Sequence, residues 1–419
     1  MDTNYLDQDI MPRDWCDENS IIKVIGVGGG GCNAVNYMYK QKIKGCNFIV
    51  CNTDSQALYK SEVPTKIQMG SRGLGAGTDP VEGRNAALES QDEIASKVLD
   101  NGTEMLFITA GMGGGTGTGA SPVIAKMAKD RGILTVAVVT IPFKNEGNES
   151  QSKAVDGIHE LEKNVDSLLI INNEKLYEFF GDTLAHEAFP MADEVLATAV
   201  RGIIEVITQP GYINVDFKDV SKMMRNSGMA LMGTGLGTGN NRLEDAVKGA
   251  FESPLLNDFD LKTAKNVLIN ITSGNNERGI KMKELETIDQ MITQYTGSAN
   301  RFKKGLIWDD DPEIGDKVRI TAIVTGFDMG QLGHITDVNL GNIVIIDRDF
   351  QWETIYKGAE RPLPDSGATS IKVGFNTAEP TRRFHFTEDN KPCLCVEPGQ
   401  SISELEAVPA IRRAHSEKK

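Results

Sequence analysis

Two stretches of this sequence have the composition of phosphate cradles, and each follows an apolar run. Gly26, Gly28 and Gly31 fit GxGxxG, and Gly29 and Gly30 add further places where a backbone can approach a ligand closely. A phosphate there meets backbone amides and a helix N-terminus. This pattern does not choose among cofactors. It also serves nicotinamide and flavin enzymes, with Asp54 at the end of the next strand placed to contact a ribose, and it serves as a plain tight turn. The second stretch is more specific. GMGGGTGTGASPVIAKMAK, starting at Gly111, sets Gly113, Gly114, Gly115, Thr116, Gly117, Thr118 and Gly119 in a row, with Pro122 expected near the first turn of a helix. Its glycines and threonines form a concave set of amide and hydroxyl donors that suits a di- or triphosphate, whereas a turn needs only one or two glycines. No lysine follows as in a GxxxxGKS/T loop, so charge neutralisation falls to amides, the helix dipole and a divalent cation. A third feature, NVDFKDV, sets Asn214, Asp216 and Asp219 beside an expected helix start, where carboxylates ordinarily act as caps.

The elements that must position these residues alternate. Apolar runs begin at Ile21, Asn47, Met105, Ile133 and Ser167, with helical segments between them, which implies a parallel sheet covered on both faces. From Met191 to Thr208, Val195, Leu196, Ala199, Val200, Ile203, Ile204 and Ile207 form one apolar stripe on a long helix, with Asp193 and Glu194 suited to its first turn. Gln209, Pro210 and Gly211 should stop it. Further strand-like runs begin at Asn266 and Lys317. The fold class expected is therefore α/β: a Rossmann-like parallel-sheet domain joined by a long central helix to a second α/β or α+β domain. The divisions expected are an arm over 1–20, a first domain over 21–208, a second over 209–327, a mostly irregular linker over 328–405 and a terminal peptide over 406–419. Within that linker, NIVIID from Asn342 and FHF from Phe384 are more apolar than a disordered tail.

Composition narrows the functions. A formal net charge of −15 opposes general nucleic-acid binding, and the one concentrated basic stretch ends the chain. The six cysteines form no CxxC pair and have no histidines at zinc-site spacing, which suits a reducing cytosol. No stretch approaches the ~20 apolar residues of a membrane span, and the opening residues lack the basic and apolar regions of a signal peptide. A soluble cytoplasmic chain is expected, with no direct membrane insertion.

At GGGTGTG the chain resembles the tubulin/FtsZ family. The likeness runs from Ile21 to about Phe327 through VGGGGCNAVN, CNTDSQAL, GLGAGTDP followed by GRNAA, the phosphate loop, PFKNEG, NNEKL, FPMADEVL and NVDFKDV, in the family's order. It implies a polymerising GTPase of cell division that assembles head-to-tail filaments into a ring at mid-cell, beneath the inner membrane. By the same resemblance Gly28, Gly29, Gly30 and Asn33 contact GTP or GDP. Gly75, Ala76 and Gly77 reach toward the γ-phosphate, and Gly113 to Gly119 wrap the phosphates. Glu146 meets the ribose, Asn173 the ribose or base, Phe189 packs on guanine, and Asp193 pairs with the guanine N–H donors. Asn214, Asp216 and Asp219 enter the adjacent subunit's pocket and act on water. Mg2+ is implied as nucleotide-bound, with no protein side chains assigned to it, and K+ is a further candidate.

Two departures stand out. Ser150 occupies the place of an arginine common in the family four residues after Glu146, and Lys153 could compensate if the segment is helical; Lys218 replaces a common alanine between the acids. Near the end, Val408 to Arg413 (VPAIRR) resembles the family's C-terminal peptide, which docks membrane-tethering and regulatory division proteins.

Overall fold

In the computed structural model, residues 20–100, 102–174, 185–209, 212, 215–252, 256, 261–297, 301–309 and 315–327 are described, together with short strands between 343 and 393. The apolar runs become β1 (Ile22–Val27), β2 (Asn47–Asn52), β4 (Met105–Gly111), β5 (Leu134–Ile141) and β6 (Ser167–Asn172), with a short β3 (Thr65–Gln68) on the edge. Their order is β3, β2, β1, β4, β5, β6, and every neighbouring pair is parallel. That is the doubly wound order whose direction reverses between β1 and β4, and ligands bind at the strand ends there.

The same sheet continues through β7 (Gly228–Gly237), β10 (Val318–Phe327), β8 (Asn266–Gly274) and the edge strand β9 (Arg301–Asp309), ten strands in all. β6 pairs parallel with β7, β10 runs antiparallel to both β7 and β8, and β8 pairs parallel with β9.

Alternation along the strands feeds two cores. Ile25, Val27, Leu106 and Ile108 face one side, packed with α5 (Thr116–Asp130), α6 (Asn148–Glu162), α9 (Arg242–Phe251) and α10 (Met282–Thr296). Ile22, Val24, Met105 and Phe107 face the other, against α1 (Gly28–Lys40), the long α7 (Ala185–Thr208) and α8 (Phe217–Met224). The remaining described α-helices are α2 (Ser55–Lys60), α3 (Pro80–Glu89) and α4 (Gln91–Ile94).

Two local expectations are corrected. The central helix begins at Ala185 rather than Met191, so Asp193 and Glu194 lie in its third turn and not its first. Pro122 lies inside α5, which opens at Thr116, and its missing N–H falls in the second turn.

Residues 337–419 form a second compact unit. Within the stretch expected to be mostly irregular, Ile343–Asp347 pairs antiparallel with Ser370–Gly374, and Thr354–Tyr356 with Ala359–Arg361. His385–Phe386 pairs with Pro392–Cys393, so the NIVIID and FHF runs both supply strand residues.

Candidate active site

β1 and β4 run directly into the glycine loops, and the backbone packing explains why few other residues would fit. Gly28 has φ +74°, and a Cβ on it would stand 2.8 Å from the Gly117 nitrogen, so the two loops touch backbone to backbone. Thr109 Oγ1, at the end of β4, donates to the Gly31 carbonyl at 3.2 Å and ties α1 to the same junction. The Gly113 amide donates to Thr118 Oγ1 at 2.9 Å, which closes the second loop on itself. Thr116 Oγ1 lies 2.6 Å from Thr53 Oγ1, just beyond β2.

Two further segments border this cradle. The Gly75 amide donates to the Thr53 carbonyl at 3.0 Å, and Gly115 sits so close to Ala76 that a Cβ there would lie 2.9 Å from the alanine Cβ. The segment Gly75, Ala76, Gly77 is thereby seated against the phosphate loop, with both glycines exposed. Gly113, at φ +97°, packs on the start of α6: a Cβ on it would meet the Ser150 carbonyl oxygen at 2.8 Å. From the same helix Lys153 Nζ donates to the Thr78 carbonyl at 3.1 Å and pairs with Glu149 Oε1 at 2.5 Å. A lysine cation therefore stands beside the Gly75 to Gly77 segment, close along the helix to where the family's arginine is absent.

Glu146 is exposed, and its carboxylate accepts from the Phe143 amide at 2.9 Å. The Asn173 amide donates to the Ile141 carbonyl at 3.2 Å, which fixes the residue beside β5, while its Oδ1 is buried without a protein donor. A buried acceptor left unpaired costs about 1–3 kcal/mol, which makes this atom a candidate acceptor for a ligand or water donor. Asn33 and Gly29 are exposed on the first turns of α1. One turn further along α1, the Tyr37 hydroxyl hydrogen-bonds Glu194 of α7, which brings Asn33 and Asp193 onto facing helices. Burial pushes the Asp193 carboxyl up to about 6.

Asp54 Oδ1 accepts from the Gln56 and Ala57 amides at 2.8 and 3.3 Å and caps α2, so the acid that a dinucleotide reading would place on a ribose already serves as a helix cap.

The acid loop opens a helix that is anchored where β5 and β6 begin, by Arg225 to the Gly132 carbonyl and Ser227 to the Asp166 carbonyl. Asp216 Oδ1 accepts from the Asp219 amide at 2.7 Å and caps α8, so the capping role is real. Asp216 and Lys218 are exposed and Asp219 is half-buried. From Asp193 to Thr208 the chain is continuous helix, about 22 Å at 1.5 Å per residue. Thr208 then packs on Gly45, at 2.7 Å from a Cβ placed there, in the connection that leads into the start of β2. The helix thus ends at the edge where the parallel strands begin, opposite the glycine loops. Asn214, Val408 to Arg413 and the Phe189 side chain lie outside what the structure describes.

The spatial arrangement also supplies residues that the motifs do not mark. Thr53 and Thr109 contact the cradle through their hydroxyls, each at or just beyond the end of a strand. Lys303, on β9, pairs with Asp219 at 2.9 Å, and its only signal in the sequence is a basic pair inside a strand. Among the described residues there is no group of three or more His, Cys, Asp or Glu side chains able to hold a metal, and no helix long and apolar enough to cross a membrane.

A doubly wound sheet with two apposed glycine loops at its switch point, extended by a mixed second half beyond a long helix, defines a nucleotide-binding protein of the tubulin-like class. The model of the tubulin/FtsZ family GTPase domain matches residues 21–181, and that of the FtsZ family C-terminal domain matches 228–328. The chain is 45% identical over 336 residues to the cell division protein FtsZ of Wigglesworthia glossinidia brevipalpis, covering 79% of this chain and 86% of that one. It is 48% identical over 313 residues to the cell division protein FtsZ of Pseudomonas aeruginosa, covering 74% and 78%. Among solved structures, an empty FtsZ dimer from M. jannaschii superposes with a TM-score of 0.67 at 38% identity, covering 73% of this chain and 88% of that one. The chain belongs to the tubulin/FtsZ family, in its FtsZ branch, and carries that family's GTPase domain.

Proposed function

We propose that this protein is a polymerising GTPase of cell division in which GTP, bound by one subunit, is hydrolysed by acids from the next. One observation carries the reading: the glycine loops follow the ends of β1 and β4, whereas the helix that the Asp216–Asp219 turn opens is tied through Arg225 to the Gly132 carbonyl, and the chain after it through Ser227 to the Asp166 carbonyl, where β5 and β6 begin. The acids of a subunit cannot reach its own γ-phosphate. A second copy stacked head to tail brings them to it, and a contact between two different faces that repeats without closing builds an open filament.

The exposed apolar side chains suit such stacking. Leu74 and Tyr59 are 87% and 88% exposed near the cradle, and Met282 and Tyr212 are also exposed in the half that carries the acid loop.

Within the junction, the glycine-loop amides and the N-termini of α1 and α5 hold the phosphates. The Gly75 to Gly77 segment borders the γ-phosphate, and Asn33, Glu146, Asn173, Phe189 and Asp193 hold ribose and guanine. Among the described residues the groups around the cradle are amides and hydroxyls, with no carboxylate cluster, so a magnesium ion would be held by the nucleotide and not by protein side chains. That ion supplies charge neutralisation when bound, and potassium is a second counter-ion to test. Asn214, Asp216 and Asp219 orient and polarise the attacking water. Phosphoryl transfer needs mainly such positioning and electrostatics, so a short polar turn is sufficient. GTP at the junction favours assembly, and hydrolysis weakens it.

In the cell the filament forms the cytoplasmic division ring at mid-cell, and the peptide Val408 to Arg413 docks the partners that tether it to the membrane.

The test is complementation between two defective subunits. Asp216→Ala removes an acid but keeps the cradle; Gly114→Glu puts a carboxylate into open space within the cradle, where it repels phosphate without a clash. Each variant alone is inactive. An equimolar mixture regains about a quarter of the parent rate, because one junction in four then pairs an intact cradle with an intact acid loop. No recovery in co-sedimenting mixed polymer would overturn the shared site.

A further inference from the structure

The edge strand β9 carries two basic residues on one face, Arg301 and Lys303, and both reach α8, the helix that the acid loop opens. Arg301 Nη1 donates to the Lys222 carbonyl at 3.1 Å near the end of α8. Lys303 Nζ lies 2.9 Å from Asp219 Oδ1 in its first turn. Lys304, on the opposite face, turns away and pairs with both Asp289 oxygens at 2.8 and 2.6 Å on α10. Asp219 is therefore fixed at two points, its amide by the Asp216 carboxylate and its carboxylate by the Lys303 ammonium.

We propose that Lys303 is a positioning residue for GTP hydrolysis, holding the Asp219 carboxylate in its working orientation and accompanying it into the neighbouring subunit's nucleotide site. This rests on the reading that Asp219 acts in trans. The chemistry supports a role beyond folding. The side chains of Lys303 and Asp219 are 47% and 30% exposed, and pairs so open to solvent add about 0–1 kcal/mol to stability. Two carboxylates that approach a triphosphate repel it, and a lysine already paired to one of them offsets part of that repulsion where water is excluded. Because β9 and the cradle lie in opposite halves of the sheet, the effect should appear in turnover and not in nucleotide affinity of the free subunit.

The experiment is a double-mutant cycle on the full chain. Lys303→Gln, Lys303→Arg, Asp219→Asn and the Lys303→Gln/Asp219→Asn pair are compared for GTP turnover per polymerised subunit, GDP affinity of the free subunit and melting temperature. Lys303→Gln should lower turnover about tenfold, the size of a coupling between contacting charged groups. Affinity and melting temperature should stay at parent values, and Lys303→Arg should keep turnover within about twofold, since it preserves the charge. In the Asp219→Asn background Lys303→Gln should change the residual rate by less than about twofold. Parent turnover in Lys303→Gln, or an equal loss in both backgrounds, would overturn the proposal while leaving the shared site intact. Parent turnover in Asp219→Asn would overturn the shared-site reading itself and the role of Lys303 with it.

Discussion

If Asp193 pairs with guanine as proposed, its raised pKa gives base recognition a pH dependence whose size can be worked out in advance. Only the ionised carboxylate can accept from both guanine N–H donors at once, and burial raises its pKa to about 6. At pH 7.5 about 97% of free subunits then present the ionised form, and at pH 5 about 9%, so apparent GDP affinity should fall roughly tenfold across that interval. Folding stability responds to the same group over a lower window, between the ordinary value of 3.8 and about 6. The folded pKa lies above the ordinary carboxylate value, so the native state binds the extra proton, and the empty protein loses stability as pH rises toward about 6. Nucleotide binding should restore what ionisation costs. The assay is competition of GDP against a fluorescent analogue between pH 5 and 7.5, in parent and Asp193→Asn proteins. The terminal phosphate of GDP titrates in the same range, so the difference between the two proteins carries the information. The Asp193→Asn substitution should also shift base preference from GDP toward xanthosine diphosphate, whose added carbonyl accepts from the new side-chain amide. Equal pH dependence in parent and variant would refute the assignment of Asp193 to the base.

Two other perturbations probe the cradle and the scaffold. Ser150→Arg sets a guanidinium beside Gly113 and should raise turnover or nucleotide affinity by about tenfold, while Lys153→Met should weaken GTP relative to GDP; no change from either, in parallel binding and turnover assays, would contradict a phosphate-directed cation on α6. Arg242 is buried, forks onto both oxygens of Glu284 at 2.8 and 2.9 Å and donates to the carbonyls of Arg278, Gly279 and Asp316. Arg242→Met leaves that carboxylate with the Lys281 amide as its donor and three carbonyls without theirs, and should cost about 1–3 kcal/mol in denaturant unfolding.

The strands that read clearly in the sequence are the ones buried on both faces, since only these appear as unbroken apolar runs. β7, GMALMGTGLG, does not, because α9 lies directly on its backbone: a Cβ at Gly233, Gly235 or Gly237 would stand within about 2 Å of the carbonyl oxygens of Ala250, Ala246 and Arg242. Glycine here is a packing requirement that imitates a loop. β9 is hidden for another reason, as an edge strand that carries Arg301, Lys303 and Lys304 toward helices on both faces. The central helix shows its stripe only from Val195, where it enters the core, although it starts at Ala185. At the site, the glycine loops are legible because backbone contact at Gly31, Gly115, Gly117 and Gly119 leaves almost no room for a side chain. Thr53, Thr109 and Lys303 act through contacts between segments far apart in the chain, and a local pattern cannot register them.

The central claim, that hydrolysis belongs to the junction between subunits, is tested most directly by the rate of GTP turnover as a function of protein concentration. Turnover should be near zero below a threshold concentration and then rise in proportion to sedimentable polymer, with Asp216→Ala forming polymer that does not hydrolyse. A rate linear in protein from the lowest concentrations, with no polymer present, would place a complete active site within one subunit and contradict the account.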